Sequence, residues 1–331
     1  MAFKLEYLKN QSLQAVESLR EIDTEATHAF RQSRCAEFLQ YAIDPEDWTE
    51  RLNRANFCKQ KSCAVCMYIK TSKLRIRLFH GMPRLLVDYP TAGFALLTLT
   101  VKNCHFQVLR SQVRSMESAW RRMYRGVNFP AVGFLKGLEV TRPRDYYYYG
   151  QHVGRLSGYN VNRWRSHLEK LPSWDWRQWR SYPTEEVHPH FHVLMMMPRT
   201  YFVREGDEFL NQREWQQMWK DAARLDYDPI VDIREVYRLN GGVLEVSKYC
   251  LKTSDMIDVI GCLTIRQLHN LRLFSIGGVF GDYFSQRAVD AIAQTGKLGN
   301  EHWQQGAPCH YQWVNDHYSL VRLANLEWEA G

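Results

Sequence analysis

Three histidines stand two residues apart in EVHPHFHVLMMMPR, Glu186 to Arg199. In an extended strand, side chains at i, i+2 and i+4 share one face, so His188, His190 and His192 point the same way. Two imidazoles placed like this can reach one divalent ion, each through a single ring nitrogen. A third ligand has to come from a neighbouring strand, and Glu139 in GLEVT is the best candidate. The plainer alternative is a set of histidines that pack or bond solvent. The apolar flanks favour the metal reading, because they bury both faces around the pair; the methionine run reads as core packing rather than as ligands.

A second group lies in LEVSKYCLK, where Glu245 and Tyr249 are four apart and Lys252 is three further on. On a helix these three form one stripe. A tyrosine between an acid and a base can serve as a nucleophile with helpers. Its ordinary pKa is about 10, so ionisation near neutrality needs a metal or Lys252 close by. Read without chemistry, the same pattern is an amphipathic helix with a Glu–Lys surface pair and a buried tyrosine. Lys248 reads as a solvated or phosphate-contacting lysine.

The third group is cysteine. NFCKQKSCAVCMYIK spaces Cys58, Cys63 and Cys66 as C-x4-C-x2-C, and SRCAEFLQYA supplies Cys35 upstream. Four thiolates suit a closed, tetrahedral, structural zinc site. On spacing alone, His28 and His80 rival Cys35 for the fourth place, and unligated buried cysteines are the alternative. Lys59, Lys61, Lys70, Lys73, Arg75 and Arg77 beside the cluster suit phosphate contacts or an ordinary solvated helix face. Further on, Trp164, Trp174, Trp176 and Trp179 interleave with Arg155, Arg163, Arg165, Arg177 and Arg180. Base stacking plus phosphate pairing would suit a single strand, with Arg163, Trp164, Arg165 and Lys248 as candidate nucleic-acid contacts. A helical hairpin docking its tryptophans on the core is the competing reading.

The elements that must position these groups follow from periodicity. The chain has 331 residues, 45% hydrophobic and 24% charged, enough for one large domain or two modest ones. Its net charge of +7 is a mild basic bias, compatible with nucleic acid. The N-terminus has no signal-peptide core and no apolar run reaches about 18 residues, so no membrane partner and a cytoplasmic location are expected. In a reducing compartment, clustered cysteines point to metal rather than disulfides. Residues 1–45 read as helical, and residues 46–90 hold the cysteine cluster and then a basic helix, YIKTSKLRIRLFHG. Strands are expected over Gly93–Val101 and Ala131–Arg142, with a helix over Phe106–Arg125 whose polar side carries Arg110, Arg114, Arg121, Arg122 and Arg125. An irregular insertion is expected from Tyr146 to Thr184. Then come the histidine strand ended by Pro198, a helix over NQREWQQMWKDAARLD, a short strand PIVDIREVY, the tyrosine helix and a mixed tail over 256–331. This order predicts an α+β domain on a mostly antiparallel sheet. There is no GxxxxGK[ST] phosphate loop, so any unwinding must come from another enzyme.

In order and spacing, these stretches resemble the rolling-circle replication initiators of small bacterial plasmids, in the single-tyrosine branch of the HUH endonucleases. The likeness covers most of residues 30–285. It rests on ANFCKQKSCAVC, FALLTLTV, KGLEVT, HPHFHVLMMMP, LEVSKYCLKTSD and NLRLFSIGGVFGD. The resemblance implies an HUH-type central antiparallel sheet flanked by helices, with an N-terminal zinc-binding cysteine segment. It implies an N-terminal region over 1–90, a nickase domain over 91–285 and an extension over 286–331. His190 and His192 would hold Mg2+ or Mn2+ with Glu139 as third ligand; His188 precedes the core of the motif. Tyr249 would be the nucleophile and Glu245 the acid that activates water at termination. The partners implied are plasmid origin DNA, as single strand or hairpin, with host helicase and DNA polymerase in the bacterial cytoplasm. The Tyr146–Thr184 insertion departs from the compact pattern. Two rivals use the same residues differently: a metal-dependent phosphoesterase with water as nucleophile and no covalent intermediate, and a non-catalytic DNA-binding replication protein.

Overall fold

The computed structural model describes residues 2–22, 26–43, 50–156, 175–202, 209–237, 242, 243, 246, 258–285, 307–314 and 317–323. In chain order it begins with α1 (Ala2–Arg20), α2 (Ala26–Ser33), β1 (Phe38–Ile43), β2 (Glu50–Ala55) and α3 (Ala64–Asp88). It continues with β3 (Gly93–Thr100), β4 (Cys104–His105), α4 (Leu109–Tyr124), β5 (Gly133–Thr141), β6 (Arg144–Tyr148), β7 (Gln151–Leu156), β8 (Trp179–Pro183) and β9 (Glu186–Met197). Last come α5 (Gln212–Ala223), β10 (Val231–Glu235), α6 (Val259–Gln267), β11 (Phe274–Gly278), α7 (Phe280–Phe284), β12 (Ala307–Val314) and β13 (His317–Leu323). Contacts group the chain into two units: residues 1–88 with 256–262 and 281–331, and residues 89–255 with 263–280. Every strand pairing among the described residues is antiparallel, as the α+β expectation requires.

In the first unit, the helical expectation for residues 1–45 holds only to Ser33. FLQYAI forms β1, with Leu39 and Tyr41 fully buried, inside a four-stranded sheet ordered β13-β12-β1-β2. The strand is stabilised by β12, some 270 residues away by the register Phe38↔Gln312, so no local pattern announces it. The expected basic helix is α3, longer than read, with Leu74, Leu78 and Leu85 turned inward at helical spacing.

The second unit is built on the sheet β10-β3-β9-β5-β11, with β4 paired to the start of β9. The histidine strand is its central member. β9 pairs with β3 through Thr98↔His192 and Thr100↔His190, and with β5 through Gly137↔His192, Glu139↔His190 and Thr141↔His188. Alternation then divides the sheet. Phe191, Val193, Leu97, Leu99 and Leu138 face the back, all buried. There α4 and α5 cover them with Trp120, Trp215 and Trp219. Trp219 donates its Nε1–H to the Thr100 carbonyl at 2.8 Å, and Trp120 meets Phe134 edge-on with centroids 4.9 Å apart. The start of α5 is fixed by a capping box between Asn211 and Glu214. Lys136 is a buried charge on this back face. It is 2% exposed, pairs with Glu117 of α4 at 2.6 Å and sits 3.8 Å from the Phe191 ring centroid.

The described residues of the expected irregular insertion form mainly strands. β6, β7 and β8 form a three-stranded sheet, β7-β6-β8, with Arg144↔Pro183 and Tyr148↔Trp179 in register. β6 leaves β5 and β8 enters β9, so this pair prolongs the β5–β9 ladder past Thr141↔His188. The aromatic and arginine content hid an ordinary hairpin extension.

On the front of the central sheet Gly137 lies between β9 and β11, opposite His192 and Phe274. A Cβ there would stand 2.4 Å from the Val246 carbonyl oxygen. The Val246 backbone therefore rests directly on the front of the sheet, which only glycine permits. Gly137→Ala is expected to lower unfolding free energy by about 1–3 kcal/mol through overpacking, read as a reduced urea midpoint with unchanged slope.

Candidate active site on the central sheet

Glu139, His190 and His192 converge on the front face, with ligand-capable atoms all within 4.8 Å of one another. The Glu139 carboxylate oxygen Oε2 lies 2.9 Å from His192 Nε2 and 3.3 Å from His190 Nε2. Each ring is held from behind. His190 Nδ1 contacts the His188 carbonyl at 3.2 Å, and His192 Nδ1 contacts the Thr98 hydroxyl at 3.1 Å. A carbonyl only accepts, so His190 Nδ1 carries the hydrogen and Nε2 turns its lone pair toward Glu139. Two acceptors facing each other at this distance require a cation or an extra proton between them. That donor set fits a divalent ion: two imidazoles and one carboxylate, with outer partners that fix the rings and leave coordination positions open. Burial alone would raise the Glu139 carboxyl, but hydrogen bonds and charge from His190 and His192 outweigh it and hold it well below the usual carboxylate range.

His188 lies next along the same face, its ring centroid 5.4 Å from that of His190. It stands outside the three-residue cluster and hydrogen-bonds the Val101 backbone instead. Burial first, and the neighbouring His190 second, push His188 down to about 4. The ring is therefore neutral across the ordinary pH range.

In the first unit, Cys35, Cys58, Cys63 and Cys66 come together, again with sulfurs within 4.8 Å of one another. The structure thus selects Cys35 over His28 and His80 as the fourth member. Measured separations are 3.4 Å for Cys35–Cys66, 3.5 Å for Cys35–Cys63 and 3.6 Å for Cys58–Cys66. Four thiolates around zinc at about 2.3 Å stand about 3.8 Å apart, so the cage is close to that size. Backbone amides already point at the sulfurs: Cys58 N–H donates to Cys35 Sγ at 3.4 Å and Lys59 N–H to Cys66 Sγ at 3.2 Å. Lys59 takes a left-handed φ of 61° in this turn. Hydrogen bonds from Cys35, then Cys58 and Cys66, pull the Cys63 thiol well below its ordinary range. Cys35 and Cys66 are pushed well above theirs, Cys35 first by its contact with Cys58 and Cys66 first by its contact with Cys35. A bound cation would favour the thiolate form of the cysteines that hold it.

Glu245, Lys248, Tyr249 and Lys252 lie outside the described residues, as do Arg163, Trp164 and Arg165. Of the tyrosine helix, Gly242, Val243 and Val246 are helical, and Val246 rests on Gly137 beside His192.

Sequence reasoning missed three contributors. Thr98 orients His192, and Gly137 admits the backbone of Val246. The third is a cluster on the β6–β7–β8 sheet, where Tyr147 meets Tyr182 at 5.6 Å and His152 at 5.2 Å. Arg155 ties this sheet to the histidine strand, reaching Asp145 at 2.9 Å and Glu186 at 3.0 Å. Strand alternation within TLTV and KGLEV would have found Thr98 and Gly137, since each is the same-face neighbour of a candidate ligand; the Tyr147–Tyr182 pairing needed the hairpin register.

Fold and site together define an α+β protein whose central antiparallel sheet offers a two-histidine, one-carboxylate centre. The family described as replication protein matches residues 49–319. The chain is 29% identical over 279 residues to the protein rep of Streptococcus pneumoniae serotype 2 (strain D39), covering 81% of this chain and 75% of the relative. It is 30% identical over 253 residues to the protein rep of Bacillus amyloliquefaciens, covering 69% of this chain and 61% of that relative. A replication protein of Staphylococcus aureus is 27% identical over 218 residues, or 61% of this chain and 76% of its own length. No solved structure matches the chain. The chain belongs to the replication protein family, which bears out the resemblance drawn from its motifs.

The depressed His188 ring sets a pH dependence. Unfolded, it takes up a proton near 6.5; folded, only near 4. Stability from this group is complete above pH 6.5 and drains away as pH falls toward 4, because the unfolded chain binds the extra proton. His188→Gln is expected to flatten the fall in melting temperature between pH 7 and pH 4.5, measured by circular dichroism.

Proposed function

We propose that this chain is a plasmid replication initiator that nicks one strand of its origin through Tyr249. The observation that carries the reading is the convergence of Glu139, His190 and His192 on one sheet face in a member of the replication protein family. A bound Mg2+ or Mn2+ would supply Lewis-acid polarisation of a scissile phosphate oxygen. His190 and His192 present Nε2, and Glu139 adds the charge that favours a hard cation over a neutral ligand set. Tyr249 attacks the phosphorus in line, its hydroxyl proton passing to a base or to water. The O–P bond to the upstream sugar breaks, leaving a 5′-phosphotyrosine and a free 3′-OH that primes host polymerase. Support for placing Tyr249 near the centre comes from Val246, three residues earlier, lying on Gly137. Glu245 acts at termination, deprotonating water for hydrolysis of the regenerated linkage. A host helicase supplies unwinding, in the bacterial cytoplasm; no described helix is long and apolar enough to cross a membrane. The fold reading that goes with this is the HUH endonuclease sheet, with zinc closing the cysteine cage as a structural centre.

Single-stranded oligonucleotides tiling the plasmid origin, incubated with Mn2+ and run on a denaturing gel, test the reading. A covalent protein–DNA band is expected, absent in Tyr249→Phe and reduced at least a hundredfold in His192→Ala. Cleavage without an adduct would favour a hydrolase that uses water. Retained binding with no cleavage at any tile would favour a non-catalytic DNA-binding protein. For the second centre, elemental analysis of purified protein is expected to give one zinc per chain, lost together with several degrees of melting temperature in Cys63→Ser; a metal-free wild type of equal stability would remove the zinc assignment.

A further inference from the structure

Behind the sheet, α4 and its C-cap carry five arginines that the nicking chemistry does not use. At 3.6 residues per turn, Arg110, Arg114, Arg121 and Arg125 fall within an arc of about 60°, with Arg122 beside them. The buried residues of the helix, among them Leu109, Val113, Met116, Trp120 and Met123, occupy the other side. Arg114, Arg121, Arg122 and Arg125 are exposed and Arg110 is half-buried. Along the axis the stripe runs about 22 Å, over which duplex DNA presents roughly thirteen phosphate charges.

Glu117 is the sole carboxylate in the helix, and buried Lys136 already takes it at 2.6 Å. Arg110 donates to the His269 carbonyl, Arg121 to the Ser118 hydroxyl and Arg122 to the Ala222 carbonyl, all neutral acceptors. Among the described residues no carboxylate pairs with any of the five. Locally the arrangement is unfavourable. Arg110 with Arg114, and Arg121 with Arg125, are like-charge pairs four apart. Arg110 also sits in the first turn, where the helix dipole disfavours cations. A polyanion relieves both penalties, and guanidinium forks match phosphate geometry.

We propose that the outward side of α4 binds the phosphate backbone of duplex DNA without regard to sequence, at a surface separate from the metal centre. The two cannot be one site, because α4 covers the back of the central sheet and Glu139, His190 and His192 face the front. Duplex is favoured over single strand by what lies between the arginines: Ser111, Ser115 and Ser118, while the adjoining ring, Tyr124, is half-buried and already covered by the Arg125 guanidinium 5.7 Å from its centroid. The stripe anchors the protein on double-stranded DNA while the front face works on an unpaired strand.

The test is fluorescence anisotropy with a labelled duplex unrelated to the origin, across a series of KCl concentrations. Combined Arg110→Gln, Arg114→Gln, Arg121→Gln and Arg125→Gln is expected to weaken binding at least tenfold at low salt. The slope of log affinity against log salt should flatten by about 3 to 4. Cleavage of a single-stranded nick-site oligonucleotide should be unchanged and the melting temperature no lower. Should that variant fold poorly, Ser111→Glu with Ser118→Glu keeps every arginine and is expected to weaken duplex binding as well. Unchanged duplex affinity and salt slope in a folded variant would overturn the proposal and leave the stripe to an acidic protein partner. A wild-type chain that binds duplex through the stripe but forms no adduct would sink the nicking reading and leave this one standing.

Discussion

The register of β9 between β3 and β5 is the constraint on which the rest depends. A strand's side chains alternate, so a slip of one residue would carry His188, His190 and His192 to the back and Phe191 and Val193 to the front. The slip is prevented from behind. Phe191, Val193 and Met195 are buried under α4 and α5, and Trp219 is tied by a hydrogen bond to the Thr100 carbonyl of the adjacent strand. The apolar back thus fixes the polar front. A core that gains from burying large aromatics also sets the position of three small ligand atoms on the other side.

On the front, the geometry is maintained by groups that do no chemistry themselves. The His188 carbonyl and the Thr98 hydroxyl take the outer nitrogens of His190 and His192, so both inner nitrogens aim at the Glu139 carboxylate. The cysteine cage follows the same logic with different donors. There, backbone amides and the Ser12 hydroxyl, 3.5 Å from Cys63 Sγ, surround sulfurs packed 3.4 to 3.6 Å from one another. Each centre is a place where like groups have been brought closer than they would choose.

How much of this was readable from sequence depended on whether the signal was local. The histidine strand, its Glu139 partner and the strand Gly93–Val101 were legible because period-two patterning and apolar flanks are written within ten residues. The helix α5 was legible as the stretch NQREWQQMWKDAARLD. β1 and β2 were not: FLQYAI has too few residues to outweigh the helical segments before it, and its partner lies near the far end of the chain. The three-stranded sheet was missed for another reason. Tyrosine and arginine are poor indicators of a buried face, and every residue of β6 is half-buried except Tyr146, which is buried. Cys35 was legible as a candidate but not as a choice, since thiol and imidazole are equivalent in a spacing argument until the backbone brings one of them near.

The pairing of β1 with β12 has a consequence for biosynthesis. Residue Tyr41 leaves the ribosome long before Cys309, its partner in the sheet. At ordinary translation rates of about 5–20 residues per second, the interval is on the order of tens of seconds. During that time β1 has β2 on one edge and an open edge on the other, a template for pairing with a neighbouring nascent chain. The strands of the central sheet face no such wait, since β3, β5, β9, β10 and β11 are all synthesised before β12. Premature termination in the last few dozen codons would therefore spare the strands that carry the histidines and leave the cysteine-bearing unit with an unfinished sheet.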